Sequence, residues 1–115
     1  MPGFERARFG PFEVDHRAGE VRRDGRPVPI QDLPFRLLVT LLQAPNQVVG
    51  RDELCRALWG DTVVEYEAGL NTAVRKLRDA LGDDPAAPQY IETVPRRGYR
   101  FRGTVASGPQ VPAAV

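Results

Sequence analysis

The sequence has few of the residues on which metal-binding, disulfide-stabilised and most catalytic proteins depend. It contains one cysteine, Cys55, and one histidine, His16, which excludes a disulfide framework and argues against a zinc site. Its apolar runs are all shorter than the ~18–20 residues that span a bilayer. The N-terminal stretch MPGFERARFG also lacks the apolar core of a secretory signal. We therefore expect a cytoplasmic protein, or the cytoplasmic part of a larger, membrane-tethered one, without a metal ion or other cofactor.

An excess of charge of one sign is lacking too. The 16 Lys and Arg residues against 15 Asp and Glu give a net charge of +1, which by itself does not indicate a nucleic-acid partner. What is present is a globular composition, 42% hydrophobic and 27% charged over 115 residues, which suits one domain with a modest core. Whether the protein has a charged binding face therefore depends on how the charged residues are distributed along the chain.

The first thirty residues and a later stretch show β-type patterns. Residues 6–30 contain short alternating runs in which Asp24-Gly25 is a hairpin signal, and two prolines favour an edge strand. The later stretch, YIETVPRRGYRFRG, contains two further β-type runs about a Pro-Arg-Arg-Gly turn. We expect a small antiparallel sheet at the start and a second hairpin near the end.

Three helical patterns lie between these β regions. Asp32 is the candidate N-cap of the first, RDELCRALW has the apolar stripe of the second, and the third covers residues 67–81. The APNQVVG segment is interpreted only as the stop of the first helix. Strands, helices and then a hairpin predict an α+β fold with segregated elements. The predicted limits are a tail at 1–5, a folded domain at 6–103 and a flexible tail or linker at 104–115.

The third helix, with the sequence LNTAVRKLRDAL, has two faces. Its leucines and Val74 recur at a helical period and are expected to pack inward. The other side carries groups of the kind that bond base edges and phosphates of DNA: Asn71, Thr72, Arg75, Lys76 and Arg78. Basic residues near a helix C-terminus also stabilise the helix through its dipole. The helix alone therefore does not distinguish a DNA-binding surface from a solvated face.

The second hairpin favours DNA. PRRGYRFR carries four arginines and no acidic residue, with aromatic and basic side chains alternating between two faces. Arginines at a turn tip contribute little to stability but suit the negative potential of a minor groove. Gly98 is expected to supply the positive φ of the turn. A helix with a basic outer face followed by a basic hairpin is the layout of a winged helix.

These motifs are similar to those of a known family. The chain resembles the OmpR/PhoB-type winged-helix DNA-binding domain of bacterial response regulators over about residues 7–103, chiefly in VVGRDELCRALWGD, LNTAVRKLRDALGDD and YIETVPRRGYRF. The last two motifs, at their spacing, are similar to those of receiver-less, ToxR/CadC-like regulators. The resemblance implies a winged helix-turn-helix with a four-stranded antiparallel N-terminal sheet, three helices and a C-terminal β-hairpin wing.

The resemblance also implies which residues meet DNA. It makes the third helix (67–81) the recognition helix in the major groove and places the wing (95–99) at the minor groove. The implied DNA-binding positions are Asn71, Thr72, Arg75, Lys76, Arg78, Thr93, Arg96, Arg97, Tyr99 and Arg100. The loop at 60–66 matches a segment that contacts RNA polymerase in relatives, with the candidate residues Asp61, Thr62, Glu65 and Tyr66. Such domains usually pair on direct-repeat half-sites of double-stranded DNA and take no small-molecule substrate.

Three positions depart from the family pattern. Pro95 stands where many relatives have a wing arginine, which leaves minor-groove contact to Arg96 or Arg97. Ala73 occupies a position that often holds a base-reading side chain. Gly50 replaces a Ser or Thr cap of the second helix, at a cost of roughly a few tenths of a kcal/mol. No receiver domain precedes the first strand, so we do not expect control by aspartyl phosphorylation within this chain.

Three functional hypotheses follow. The leading one is a sequence-specific DNA-binding transcriptional regulator in which Arg75 and Arg78 read bases. Its phosphate contacts would be made by Lys76, Thr93, Arg100 and Arg102. The second is a protein-interaction module on the same scaffold, since a fold does not fix a function. The third, an enzyme, is not expected, because the sequence offers no paired nucleophile and base and no phosphate-binding loop.

Overall fold

The computed structural model describes residues 6–60 and 66–107. Helices and strands occupy most of these two ranges and follow one another in the order β1 (Arg6–Phe9), β2 (Phe12–Asp15), β3 (Glu20–Arg23), β4 (Arg26–Val28), α1 (Asp32–Leu42), β5 (Val48–Gly50), α2 (Arg51–Trp59), α3 (Tyr66–Leu81), β6 (Ile91–Val94), β7 (Gly98–Phe101) and β8 (Ala106–Ser107). None of the helices in these ranges has the length and apolar character needed to cross a membrane.

Strands β1 to β4 form an antiparallel meander, as the alternating runs predict. Asp24 and Gly25, between β3 and β4, have φ angles of 52° and 82°, the left-handed conformations of a two-residue hairpin turn. Across the sheet, Val14 pairs with Ala7 on one side and with Val21 on the other. All three side chains are buried in the core, so one face of the meander covers the helices.

The sheet has five strands where four were expected. Its order is β4-β3-β2-β1-β8, because Ala106 and Ser107 of β8 pair with Arg8 and Ala7 of β1. Residues 106–107, which lie within the predicted tail at 104–115, thus pair with the sheet. A two-residue strand has no alternating pattern that a sequence reading could recognise.

A second sheet joins the wing strands to the segment between α1 and α2. Its order is β5-β7-β6, with Val49 opposite Tyr99 and Gly50 opposite Gly98. The interpretation of APNQVVG as only a helix stop was therefore incomplete. Since Gly50 directly precedes α2, β5 fixes the wing against the start of that helix.

Helix α1 lies at the centre of the core. Leu37, Leu38 and Leu41 are fully buried, whereas Asp32 and Arg36 form an ion pair of 3.2 Å on the outer side. The prediction that Asp32 caps this helix is wrong, because Asp32 already lies in the first turn and the preceding residue makes no side-chain capping bond. Asp32 instead supports the helix through the dipole and the i,i+4 pair.

Helix α2 has the predicted bounds and packs against α3. Trp59, its last residue, is half-buried and packs against the core. A β-carbon at Gly69 of α3 would lie 2.9 Å from the Trp59 indole. Gly69 therefore allows α3 to approach α2 closely, and this approach sets the position of α3.

Candidate nucleic-acid interface

The inner face of α3 is buried as its periodicity predicts. Leu70, Val74, Leu77 and Leu81 are each at most 2% exposed. Ala73 is also buried, at 3% exposure. The interpretation of Ala73 as an outward, base-facing position is therefore wrong, because its methyl group belongs to the core.

The outer face of α3 exposes Asn71, Thr72, Arg75 and Lys76. Lys76 donates from Nζ to Oε1 of Gln31 at 2.8 Å, and this neutral partner leaves its positive charge uncompensated. Within the described ranges the Arg75 guanidinium makes neither a hydrogen bond nor an ion pair. Arg75 is thus the cation on this helix that is most available to a ligand.

The turn of the wing is strained at an arginine. The backbone N–H of Arg97 donates to the carbonyl of Val94 at 3.0 Å, which closes a β-turn with Pro95 and Arg96 at its centre. Arg96 has a φ of 68°, a conformation that such turns usually assign to glycine or asparagine. An arginine there costs about 1–2 kcal/mol of stability. Stability therefore does not explain the presence of this side chain.

Gly98 has a positive φ, as predicted, and a second reason to be glycine. Its φ is 156°, whereas the left-handed residue at the centre of the turn is Arg96. A β-carbon on Gly98 would also collide with the carbonyl oxygen of Val49 and lie 3.0 Å from Cα of Gly50. Glycine is required because β5 and β7 approach each other closely at this position.

A polar junction connects α2, α3 and the wing. Tyr99 is 5% exposed, and its hydroxyl donates to Oδ1 of Asn71 at 3.4 Å. Arg51, the first residue of α2, lies 5.8 Å from the centre of the Tyr99 ring and donates to the same Asn71 oxygen at 3.3 Å. The structure thus brings together two predicted site residues, Asn71 and Tyr99, and one, Arg51, that was not predicted from the sequence. The only feature of the sequence that could have indicated Arg51 is its position at the start of α2.

Arg78 points toward the wing rather than away from the protein. Its Nη2 donates to the carbonyl oxygen of Ile91 and to Oγ1 of Thr93, both at 2.9 Å. Thr93 itself is exposed on β6. Two predicted DNA-binding residues are therefore bonded to each other in the free protein.

A buried carboxylate anchors the loop between α3 and β6. Asp83 is 7% exposed and follows Gly82, which ends α3 in the left-handed conformation at a φ of 68°. Its carboxylate accepts backbone N–H bonds at 2.7 to 3.4 Å from Gln89, Tyr90 and Ile91. This role could not be predicted from the sequence, because it depends on how the loop folds back.

Basic side chains of the wing differ in how they are bonded. Nε of Arg100 lies 2.9 Å from Oε1 of Glu92; this hydrogen bond holds the pKa of the Glu92 carboxyl below its usual value and raises the pKa of the guanidinium. Arg102 donates to a backbone carbonyl at 2.9 Å. The side chains of Arg96 and Arg97 are exposed and unbonded within the part of the chain that the structure describes. The unbonded cations of the wing are therefore those at its tip.

The predicted protein-contact loop falls largely outside the described residues. Asp61, Thr62 and Glu65 lie in the undescribed range 61–65, and only the backbone of Tyr66 is described, at the start of α3. The contact with RNA polymerase assigned to this loop stays a prediction.

Known proteins are similar to the chain in sequence and in fold. Residues 25–101 match the family described as "Transcriptional regulatory protein, C terminal". The DNA-binding response regulator MtrA of Mycolicibacterium smegmatis is 36% identical over 92 residues, which are 80% of this chain and 40% of that protein. The DNA-binding domain of RstA from Klebsiella pneumoniae, solved in complex with the RstA box, has a TM-score of 0.77 at 28% identity, covering 85% of this chain and 97% of that one. The DNA-binding domain of CadC from E. coli also has a TM-score of 0.77, at 30% identity over 90% and 97% of the two chains.

The fold and the family agree. The chain spans about two fifths of the length of the curated relatives it matches, and the RstA and CadC domains cover 85% and 90% of it. The N-terminal antiparallel sheet, three helices and C-terminal hairpin confirm the predicted winged helix, and the matching family and solved domains are those of DNA-binding transcription regulators. The chain therefore belongs to the family of transcriptional regulatory protein C-terminal domains, the OmpR/PhoB-type DNA-binding domains.

Proposed function

We propose that the chain binds double-stranded DNA in a sequence-specific manner, with α3 in the major groove and the wing tip at the minor groove. The observation that carries this proposal is the exposed Arg75 guanidinium, which has no partner within the described ranges. The complex of the similar RstA domain with its RstA box supports DNA as the ligand. Binding to the bacterial chromosome is also consistent with the expected cytoplasmic location.

Base reading is assigned chiefly to Arg75. A guanidinium offers two parallel donors that match O6 and N7 of guanine, and no carboxylate competes for Arg75 within the described ranges. Asn71 can also contribute, because Tyr99 and Arg51 occupy its Oδ1 and leave its amide nitrogen free to donate. Thr72, exposed beside these residues, would complete the set on the outer face.

Phosphate contacts are assigned to Lys76, Thr93 and Arg100, and minor-groove contacts to Arg96 and Arg97. Contacts to phosphates fix the register of a protein on DNA without reading the sequence. Arg100 would divide its charge between Glu92 and a phosphate. We further propose that two copies bind direct-repeat half-sites and that the 60–66 loop contacts RNA polymerase; the family resemblance supports both.

Selection of binding sites from random duplex DNA tests the proposed function. We expect an enriched motif of two like-oriented half-sites about one helical turn apart. Affinities for the motif and for random DNA should then be compared at two salt concentrations. Salt-sensitive binding without any motif would contradict sequence-specific reading, because a basic surface alone produces it. A single half-site motif would contradict only the pairing.

Replacing Glu92 with Gln is expected to tighten DNA binding by about threefold. The change frees Arg100 and removes a negative charge from the wing. Because the pKa of Glu92 is lowered, the carboxyl is ionised at neutral pH, and the ion pair is lost only as the pH falls through that lowered value. Fluorescence anisotropy with the selected site would measure the change. Glu20→Gln, which breaks a similar pair with Arg22 on the N-terminal sheet, is the control; an equal gain there would contradict a local effect.

Replacing Arg96 with Asn is expected to stabilise the fold by about 0.5–1 kcal/mol, because asparagine tolerates the left-handed conformation better. DNA affinity should fall, and the slope of log affinity against log salt concentration should become shallower by about one, because about one fewer counterion is released. Urea denaturation and anisotropy measure the two effects. Arg97→Asn is the matched control: it should weaken binding without raising stability. A fully retained affinity of Arg96→Asn would argue against contact by this residue.

A further inference from the structure

We infer that Arg78 is a positioning residue that couples the wing to the recognition helix, and not a reader of bases. The inference rests on the proposed function, since it assumes that both α3 and the wing meet DNA. Arg78 lies near the C-terminal end of α3, and its two acceptors, Ile91 and Thr93, lie on β6. A single side-chain nitrogen therefore bonds the helix to the wing at two points.

The geometry of the guanidinium opposes base reading by Arg78. Its Nη2 carries two protons, and the two bonds of 2.9 Å to Ile91 and Thr93 use both. A bidentate contact with guanine needs two parallel donors, either Nη1 with Nη2 or Nε with Nη2. Both forks require the nitrogen that is already engaged. Arg78 would have to release the wing before it could read a base in this way.

The partial burial of Arg78 also argues against base reading by this residue. Its Nε is a buried side-chain atom without a hydrogen-bond partner, the only one of this kind among the described residues. A buried donor without an acceptor destabilises a fold, so stability alone is a poor reason for an arginine here. Arg78 as a whole is partly buried, whereas Arg75 on the same helix is exposed. The two arginines thus have different environments and different tasks.

Arg78 also determines how Thr93 can act on DNA. A hydroxyl has one proton and two lone pairs, and Arg78 donates to the oxygen of Thr93. The hydroxyl proton must then point elsewhere, and because Thr93 is exposed it is free to donate to a phosphate. Arg78 therefore orients the phosphate contact assigned to Thr93.

The start of β6 is held from both sides to the end of α3. The carbonyl of Ile91 accepts from Arg78, and its N–H donates to Oδ2 of Asp83, each at 2.9 Å. Asp83 in turn follows directly on the last turn of α3. The angle of the wing relative to the recognition helix is thus fixed by Arg78 and Asp83 together.

Amide hydrogen exchange of the free protein tests the positioning role without DNA. Arg78→Met keeps a long apolar stem and removes every donor. We expect faster exchange across residues 91–101 and unchanged exchange in α1. Lys76→Met on the same helix is the control and should leave the wing unchanged. Unchanged wing exchange in Arg78→Met would overturn the inference. If that variant does not fold, Arg78→Lys is compared in its place, since lysine keeps the positive charge but lacks the planar guanidinium group.

A double-mutant cycle on the selected DNA site tests the coupling. We expect Arg78→Met and Thr93→Val each to weaken binding by about tenfold and the double variant to be no weaker than either, because Arg78 acts through Thr93. The selected motif should stay the same in both. Additive losses of about a hundredfold, or a changed motif in Arg78→Met, would overturn the inference in favour of direct reading. Absence of a motif with the unaltered protein would instead overturn the proposed function, and the exchange experiment would still decide whether Arg78 holds the wing.

Discussion

Replacing Arg75 with Ala is expected to lower the affinity for the selected DNA site by about 10- to 100-fold and the affinity for random DNA by only about threefold. The guanidinium is exposed and unbonded within the described ranges, so its removal leaves no buried group without a partner and the fold intact. The proposed bidentate contact would be lost only on the site that contains the matching base. Anisotropy titrations with both DNAs at one salt concentration measure the difference.

Arg75→Lys separates charge from geometry at the same position. Lysine keeps the positive charge but cannot offer the two parallel donors of a guanidinium. We expect its binding to random DNA to match that of the unaltered protein, while binding to the selected site stays well below it. Equal losses on both DNAs in Arg75→Ala would show that the residue contacts only phosphates.

Replacing Gly98 with Ala is expected to destabilise the fold by about 2–4 kcal/mol. The added β-carbon would meet the carbonyl oxygen of Val49, a backbone atom that cannot move without separating β5 from β7. Since natural domains are stable by only about 5–15 kcal/mol, this is a large fraction of the total. Urea denaturation should show a lower midpoint with an unchanged slope.

Gly19 is the matched control for this variant. It has a positive φ of 71°, but a β-carbon there meets nothing within 4 Å. Gly19→Ala should therefore cost only the strain of the left-handed conformation, about 1 kcal/mol. Similar losses in the two variants would contradict the close approach of β5 and β7 as the reason for Gly98.

The helices were predictable from the sequence because each carries its own signal. Helix α2 shows its apolar stripe within nine residues, and the outer face of α3 was correctly assigned for Asn71, Thr72, Arg75 and Lys76. The Asp24-Gly25 hairpin was equally local. Such features depend on residues a few positions apart, which periodicity and turn chemistry capture.

Features that depend on distant partners were not predictable in this way. Strand β5 exists because β7, about fifty residues later, pairs with it, and the close backbone approach at Gly98 results from that pairing. Arg78 has the sequence spacing of a residue on the outer face of α3. Its guanidinium nevertheless donates hydrogen bonds to Ile91 and Thr93 of β6. Arg51 and Asp83 likewise acquire their roles from contacts across the fold. The direction of a long side chain is thus fixed by tertiary neighbours that a helical wheel does not contain.

Methylation protection on the selected site tests the central claim, that α3 reads the major groove, most directly. Dimethyl sulfate modifies N7 of guanine in the major groove and N3 of adenine in the minor groove. We expect the protein to protect guanine N7 within the motif, and Arg75→Ala to lose that protection at one position while adenine N3 beneath the wing stays protected. Binding that leaves every guanine N7 of the motif reactive would contradict the placement of α3 in the major groove.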